Sequence, residues 1–476
     1  MSPAQTDSAA SSKGAAVAAI AVVSLGFAFR LWWALEFDTL PNHDMKAYVE
    51  FAQSIAKGEG YVAFGQPTAY WPVGYPAVLA VLLWLGGGDL LVARIAQAVF
   101  GLVSLACIFR LVRTYSSSAV AAMAATAWVA FDITQIAYSS ILVSEPLFNC
   151  LMLLGAVFSV GPDRTSRRML LGGACFGLAA YTRAHGLFLP LLCGLFGVVG
   201  GWSDWRTRAR RVAWLYLGLC LVMAPWWVRN AMVFKAFVPV SNNGGINLFI
   251  GNNPRATGGY KWNKEIKAPL ARAHRGRHRG GRGEYERGEA ASKLAWEFIR
   301  ENPTRFAELA YIKLKKLYQP DLLSVRWNKP LASEEKRKKR ALKRVWQPRV
   351  RTYHASLCLA AALGCLVAWR GRWPVVVLGH TVVSLLAAHF GHWWLGALCV
   401  LLLPLRLLRE RNREFPVLLP IAVAGTFTAV HMLYFANGRF LHPVRPWMAV
   451  AAGILVAWLV EHGRSSRTRD NRDAAT

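Results

Sequence analysis

Apolar and polar positions along this chain alternate in long blocks: about a dozen apolar runs of roughly 16 to 23 residues are separated by shorter polar stretches rich in Arg. A helix of that length crosses the hydrocarbon of a bilayer with its backbone fully hydrogen-bonded. The pattern predicts an all-α polytopic membrane protein with about twelve transmembrane helices. They lie at about 15–36, 90–112, 117–135, 145–160, 169–184, 186–200, 212–229, 353–369, 374–390, 392–408, 415–435 and 441–460. The first run is longer than a signal-peptide core and is followed by Glu36 and Asp38 rather than a small-residue cleavage site, so it is expected to stay as an anchor.

Charge orients these spans. The chain has 476 residues and a net charge of +30. Its short basic clusters fall at Arg110/Arg113, Arg164/Arg167/Arg168, Arg206/Arg208/Arg210/Arg211, Arg370/Arg372, Arg406/Arg409/Arg411/Arg413 and in the tail from Arg464. The positive-inside rule puts each in the cytoplasm, which twelve crossings satisfy with both termini inside. Because the positive charge serves topology and anionic headgroups, no nucleic-acid partner is expected; membrane lipids are. All eight cysteines lie in apolar runs and behave as small hydrophobes, with no disulfide or zinc pattern.

Two long outer segments follow, 37–89 and 230–352. The division expected is an N-terminal membrane module 1–229, an extracytoplasmic loop domain 230–352, a C-terminal membrane module 353–462 and a cytoplasmic tail 463–476. The run Val73–Leu85 is short for a crossing and is entered through Pro67, Pro72 and Pro76, which suits an interfacial helix on the outer face; an ordinary crossing helix is the alternative. In the second segment, Phe306, Leu309, Ile312 and Leu317 recur near helical spacing beside Lys313, Lys315 and Lys316, as in a helix on the bilayer surface. Arg275, Arg277, Arg279 and Arg282 suit either a phosphate grip or a solvated Gly- and Arg-rich loop.

With this topology, ionisable residues collect at the outer membrane level. Asp44 follows the first span, Glu145 opens the fourth, Arg183 and His185 fall in a tight turn, Arg229 and Asn230 end the seventh, and Arg439 and His442 precede the last. Arginine forks suit phosphate oxygens, and a carboxylate can take a proton from an attacking hydroxyl. His43 and Tyr48 flank Asp44 and join it as candidates. Plainer readings stand beside these: Asp44 as a helix N-cap, Glu145 before Pro146 as an ordinary first helical turn, and the three arginines as interfacial anchors. No cofactor is required, although a divalent cation on His43, Asp44, His185 and His442 is an open alternative without a ligand spacing to support it.

The run Asp44-x3-Tyr48-x3-Ala52-x2-Ile55-x2-Gly58-x-Gly60, followed by Trp71-Pro72-Val73-Gly74-Tyr75-Pro76, resembles the first outer loop of bacterial GT-C glycosyltransferases of the family 39 kind. These are relatives of protein O-mannosyltransferases and of the lipid A aminoarabinose transferase. Ser144-Glu145-Pro146-Leu147, Tyr181-Thr182-Arg183, Pro225-Trp226-Trp227-Val228-Arg229-Asn230, Gly251-Asn252-Asn253-Pro254 with Gly258-Gly259-Tyr260, and Gly438-Arg439-Phe440-Leu441-His442-Pro443 follow in the expected order. The resemblance implies a GT-C fold in the cytoplasmic (inner) membrane and an inverting transfer of a sugar from a polyprenyl-phosphate carrier to an acceptor hydroxyl on a glycan, lipid or protein, on the extracytoplasmic side. It also implies Asp44 as general base, Glu145 as a second acid of the site, and Arg183 and Arg229 near the carrier phosphate. One departure is that Met45 stands where the mannosyltransferases carry a glutamate.

Two rival classes share the membrane plan. A transporter or flippase of lipid-linked saccharides would place ionisable residues near the midplane and repeat its halves, which this sequence does not do. A ligase or polymerase using diphosphate-linked glycans would differ in the leaving group.

Overall fold

The computed structural model describes residues 3–116, 118–161, 165–197, 205–273, 281–328, 340, 342–368, 418–454 and 456–457. The helices expected at 374–390 and 392–408, the arginines 164, 275, 277, 279, 370, 372, 406, 409, 411 and 413, and the tail from Arg464 lie outside the described residues.

Several helices start where the sequence offers a capping oxygen. After α1 (Pro3–Glu36) come α2 (Asp44–Ala56), a two-residue-strand hairpin β1 (Val62–Ala63) and β2 (Gln66–Pro67), and α3 (Gly74–Leu85). Asp89 accepts from Leu91 N to cap α4 (Leu90–Tyr115), and Ser118 accepts from Ala121 N to cap α5 (Ala119–Ala130). The expected single helix over 117–135 is broken there, because Asp132 caps a new short helix, α6 (Ile133–Ala137). Glu145 and Pro146 open α7 (Glu145–Ser159), and Thr165 caps α8 (Ser166–Thr182). A 3-10 turn, Ala184–Phe188, leads into α9 (Leu189–Phe196). The long α10 (Trp205–Phe234) contains Pro225 and runs past Arg229 and Asn230 instead of ending at them.

Segment 230–352 folds as α11 (Gly244–Gly251), α12 (Lys264–Ala273), α13 (Gly281–Glu301), α14 (Pro303–Leu317) and α15 (Leu323–Arg326). Helices Gln347–Ala368, Leu418–Leu433 and 445–454 complete the described chain.

Three of these helices, Ala16–Glu36, Leu90–Tyr115 and Trp205–Phe234, are long and apolar enough to cross a membrane; five shorter apolar ones accompany them. The largest core cluster joins α4, α5, α7, α8, α9 and α10 to Leu418–Leu433 and 445–454, with Phe148, Met152, Phe176, Leu215, Phe427 and Trp447 at its centre. A second cluster packs Met45, Tyr48 and Val49 of α2 on Tyr75, Leu79 and Leu83 of α3 and on Tyr138 and Val143. Burying each such side chain contributes about 1.5–3 kcal/mol, which fixes the helix that begins with Asp44. Ile246, Phe249, Leu270 and Ala291 give α11–α13 a small core of their own.

The expected surface helix is α14, and its apolar side faces protein: Leu309, Leu314 and Leu317 are buried, the helix packs against Leu418–Leu433, and Lys313 is fully buried. The Lys313 ammonium donates to Asn252 Oδ1 (2.8 Å) and Leu433 O (3.2 Å), and burial lowers its pKa to about 7.

Candidate active site

Asp44 is the first residue of α2, and its position follows from the backbone before it. His43 has a φ of 48°, an uncommon left-handed value for a residue other than glycine, and turns the chain sharply into the helix. No side-chain capping bond forms. The Asp44 carboxylate instead leaves the helix and accepts from Arg439 Nη1 at 2.5 Å, through Oδ2. Its side chain keeps 42 % exposure, so this carboxylate stands at the boundary between buried network and open space.

Arg439 reaches this point from a 3-10 turn, Gly438–Leu441, whose start Asn437 caps by accepting from Arg439 N. Gly438 is needed there, since a Cβ would stand 2.4 Å from Gln319 O. The buried guanidinium also donates through Nε to Glu145 Oε1 at 2.5 Å. Burial opposes its charge, but Glu145 and Asp44 outweigh that and push its pKa further up. Its Cζ lies 4.8 Å from the Trp327 ring centroid, and the same indole stacks on His43 at 5.4 Å.

Glu145 is fully buried at the start of α7 and binds a second arginine: Arg183 Nη1 is 2.9 Å from the same Oε1 and 3.3 Å from Ser144 Oγ. Oε2 has no hydrogen-bond partner among the described residues. A buried carboxylate with two guanidiniums is a fixed charged frame, because loss of any member leaves another charge uncompensated. Tyr48 lies beside it, packed on Tyr75 and Trp71; burial, then the Asp44 and Glu145 carboxylates, push its hydroxyl up to about 12, so it stays protonated.

Asp44, Glu145, Arg183, Arg439, His43 and Tyr48 are thus brought to one place. Arg229 is not part of this frame. Its guanidinium donates to Thr68 O (2.9 Å), Tyr61 O (3.2 Å) and Asn230 Oδ1 (3.0 Å) and lies over Trp226, bracing the loop that follows α2. His442 contacts Asn149 Nδ2 through Nδ1 at 3.2 Å and packs on Tyr138, while His185 stacks between Phe427 and His431. Among the described residues no group of three or more His, Cys, Asp or Glu could hold a metal ion. Asp44 Oδ2 and Glu145 Oε1 are both held by guanidiniums. Arg282 pairs with Glu286 at 3.2 Å on the surface of α13.

Several residues of this region carried no motif signal. Trp327 comes from the second outer segment, 283 positions after Asp44 by their numbers, and only the fold unites them. A second buried network, Asp132 with Arg445 at 2.6 and 2.9 Å and Arg445 with His354 at 3.0 Å, anchors the segment that bears Arg439 and His442. An acid and an arginine embedded in apolar runs are the signal that would have found it.

No protein-family model matches this sequence, and no curated protein does. The fold is similar to that of solved structures at low scores. The archaeal oligosaccharyltransferase AglB from Archaeoglobus fulgidus, in complex with an inhibitory peptide and a dolichol-phosphate, has 12 % identity and a TM-score of 0.48 over 96 % of this chain. This chain covers 52 % of that protein, about half its length. ArnT from Cupriavidus metallidurans bound to undecaprenyl phosphate has 16 % identity and a TM-score of 0.42, over 91 % of this chain and 77 % of that one. All of these scores lie below 0.5, so the functional reading rests on the residues themselves.

Proposed function

We propose that this chain is an integral membrane glycosyltransferase of the GT-C type that moves a sugar from a polyprenyl-phosphate carrier to an acceptor hydroxyl on a glycan, lipid or protein, at the outer face of the cytoplasmic membrane. The observation that carries the reading is the Asp44–Arg439–Glu145–Arg183 frame, in which one half-exposed carboxylate stands beside two arginines fixed by a buried one.

Such a frame suits displacement at an anomeric carbon. Asp44 accepts the proton of the acceptor hydroxyl as its oxygen bonds to the anomeric carbon, the bond from that carbon to the phosphate oxygen breaks, and the configuration inverts. Arg183 and Arg439 face the charge that grows on the departing phosphate, and because Glu145 already holds them they need little reorganisation. Tyr48 remains a neutral donor beside Asp44. Arg229 acts at one remove, by bracing the loop that follows α2, the helix that Asp44 begins.

The test is a transfer assay in membranes containing the full chain, offered radiolabelled polyprenyl-phosphate sugars. Labelled acceptor together with released polyprenyl monophosphate is expected. Release of polyprenyl diphosphate from diphosphate-linked donors would assign the chain to a ligase or polymerase instead, and movement of the lipid-linked saccharide across the bilayer without bond cleavage would make it a flippase.

A further inference from the structure

The hairpin β1–β2 presents one side chain that nothing among the described residues receives. Its register pairs Val62 with Pro67 and Ala63 with Gln66, leaving Phe64 and Gly65 as a two-residue turn. Both have positive φ, 52° and 69°, as a type I′ turn requires. Asn, Asp or Gly suits the first of these positions, because a bulky side chain is strained in left-handed backbone. This chain places a phenylalanine there and leaves it 105 % exposed.

The hairpin does not hang free. Its base is fixed to the end of α10, since Arg229 donates to Tyr61 O and Thr68 O, one on each arm, and Tyr61 packs on Trp226. Asn242 N donates to Ala69 O, and Glu284 accepts from Thr68 Oγ1 and Ala69 N. The end of α10 carries the same kind of surface as the tip. Val228, Met232 and, just beyond the helix, Phe237 are 59 %, 67 % and 66 % exposed, with exposed Lys235 among them. Outward apolar side chains at the end of a membrane-length helix, with a basic residue beside them, fit the zone where acyl chains meet anionic headgroups.

We infer that the Phe64 tip is a membrane anchor: the hairpin dips into the outer leaflet beside the end of α10, with bilayer lipid as its occupant. The Arg229 brace and the Tyr61–Trp226 contact hold the base of the hairpin at the end of α10, the part of that helix where its exposed apolar side chains lie. Phe64 sits where the local backbone prefers Asn, which is the compromise expected when the contact lies outside the protein. The anchor sets the height of the loop that follows Asp44. It requires that α10 spans the membrane, but it does not depend on glycosyl transfer.

The test uses the full chain in nanodiscs of phosphatidylethanolamine and phosphatidylglycerol. An environment-sensitive fluorophore is attached at Phe64→Cys and, as the water-facing control, at Lys264→Cys, with the signal of the unsubstituted protein subtracted for native cysteines. Nitroxide lipids labelled near the top of the acyl chain are expected to quench the Phe64 position by about twofold or more and leave Lys264 unchanged. Should Phe64→Cys fail to fold, Gln66→Cys beside the tip serves as the reporter, with the same expectation. Equal, weak quenching at the tip and at Lys264 would overturn the anchor. Quenching by nitroxide-labelled polyprenyl phosphate but not by nitroxide bilayer lipid would also overturn it, in favour of a carrier contact. Neither result would bear on the Asp44 frame, whose failure shows only in the transfer assay.

Discussion

Arg439 is the residue on which the site turns, because among the described residues it alone bonds both carboxylates, and it also stacks on Trp327. If the indole orients the guanidinium, Trp327→Ala should lower kcat/KM by about threefold to thirtyfold, the worth of a partly desolvated cation–π contact, and Trp327→Phe should recover most of it. Steady-state kinetics of both variants check this. At Arg183 the expected effect is on donor binding: Arg183→Lys keeps a positive charge but loses the fork, so KM for the lipid-linked sugar should rise more than KM for the acceptor. Glu145→Gln would take the shared buried carboxylate from Arg439 and from part-buried Arg183 and should cost about 3–5 kcal/mol, read as a fall in thermal unfolding temperature.

At the scale of elements, buried polar contacts between helices decide what holds the outer segments in place. Lys313 ties α14 to Asn252 and to the end of Leu418–Leu433. Its folded pKa, lowered by burial to about 7, lies below the unfolded value, so the unfolded chain binds more protons between about pH 7 and 10. Stability should therefore rise with pH across that window, by up to about 1.4 kcal/mol per pH unit, and Lys313→Met should flatten the slope in thermal unfolding at several pH values. The apolar runs announced most of the helices described, because membrane-length periodicity is a strong signal. Their interruptions were less visible: Asp132 reads as part of a run until its capping of α6 and its pair with Arg445 are known. The convergence of Asp44, Glu145, Arg183 and Arg439 could be expected from topology, since each stands at a helix end. That Arg229 braces a loop could not, because its partners are backbone carbonyls, which no sequence pattern marks. For the same reason α14 read as a surface helix, its lysines hiding the fact that one of them is buried.

For the whole molecule, the distribution of the +30 charge gives an expected orientation with the basic clusters inside. Cysteines introduced at Asn263 and Arg208 should be labelled by an impermeant thiol reagent from outside and from inside respectively, and labelling of both from one side would contradict the twelve-helix arrangement. The proposed function needs that orientation, with the Asp44 frame outside. The most direct test of the proposed chemistry is Asp44→Asn in the membrane transfer assay. Asparagine keeps the size of the side chain and an oxygen for Arg439 but cannot take the acceptor's proton, so turnover should fall by about two to four powers of ten while the protein inserts and unfolds almost as the parent does. A normally inserted Asp44→Asn enzyme that transfers sugar at the parent rate would contradict the account.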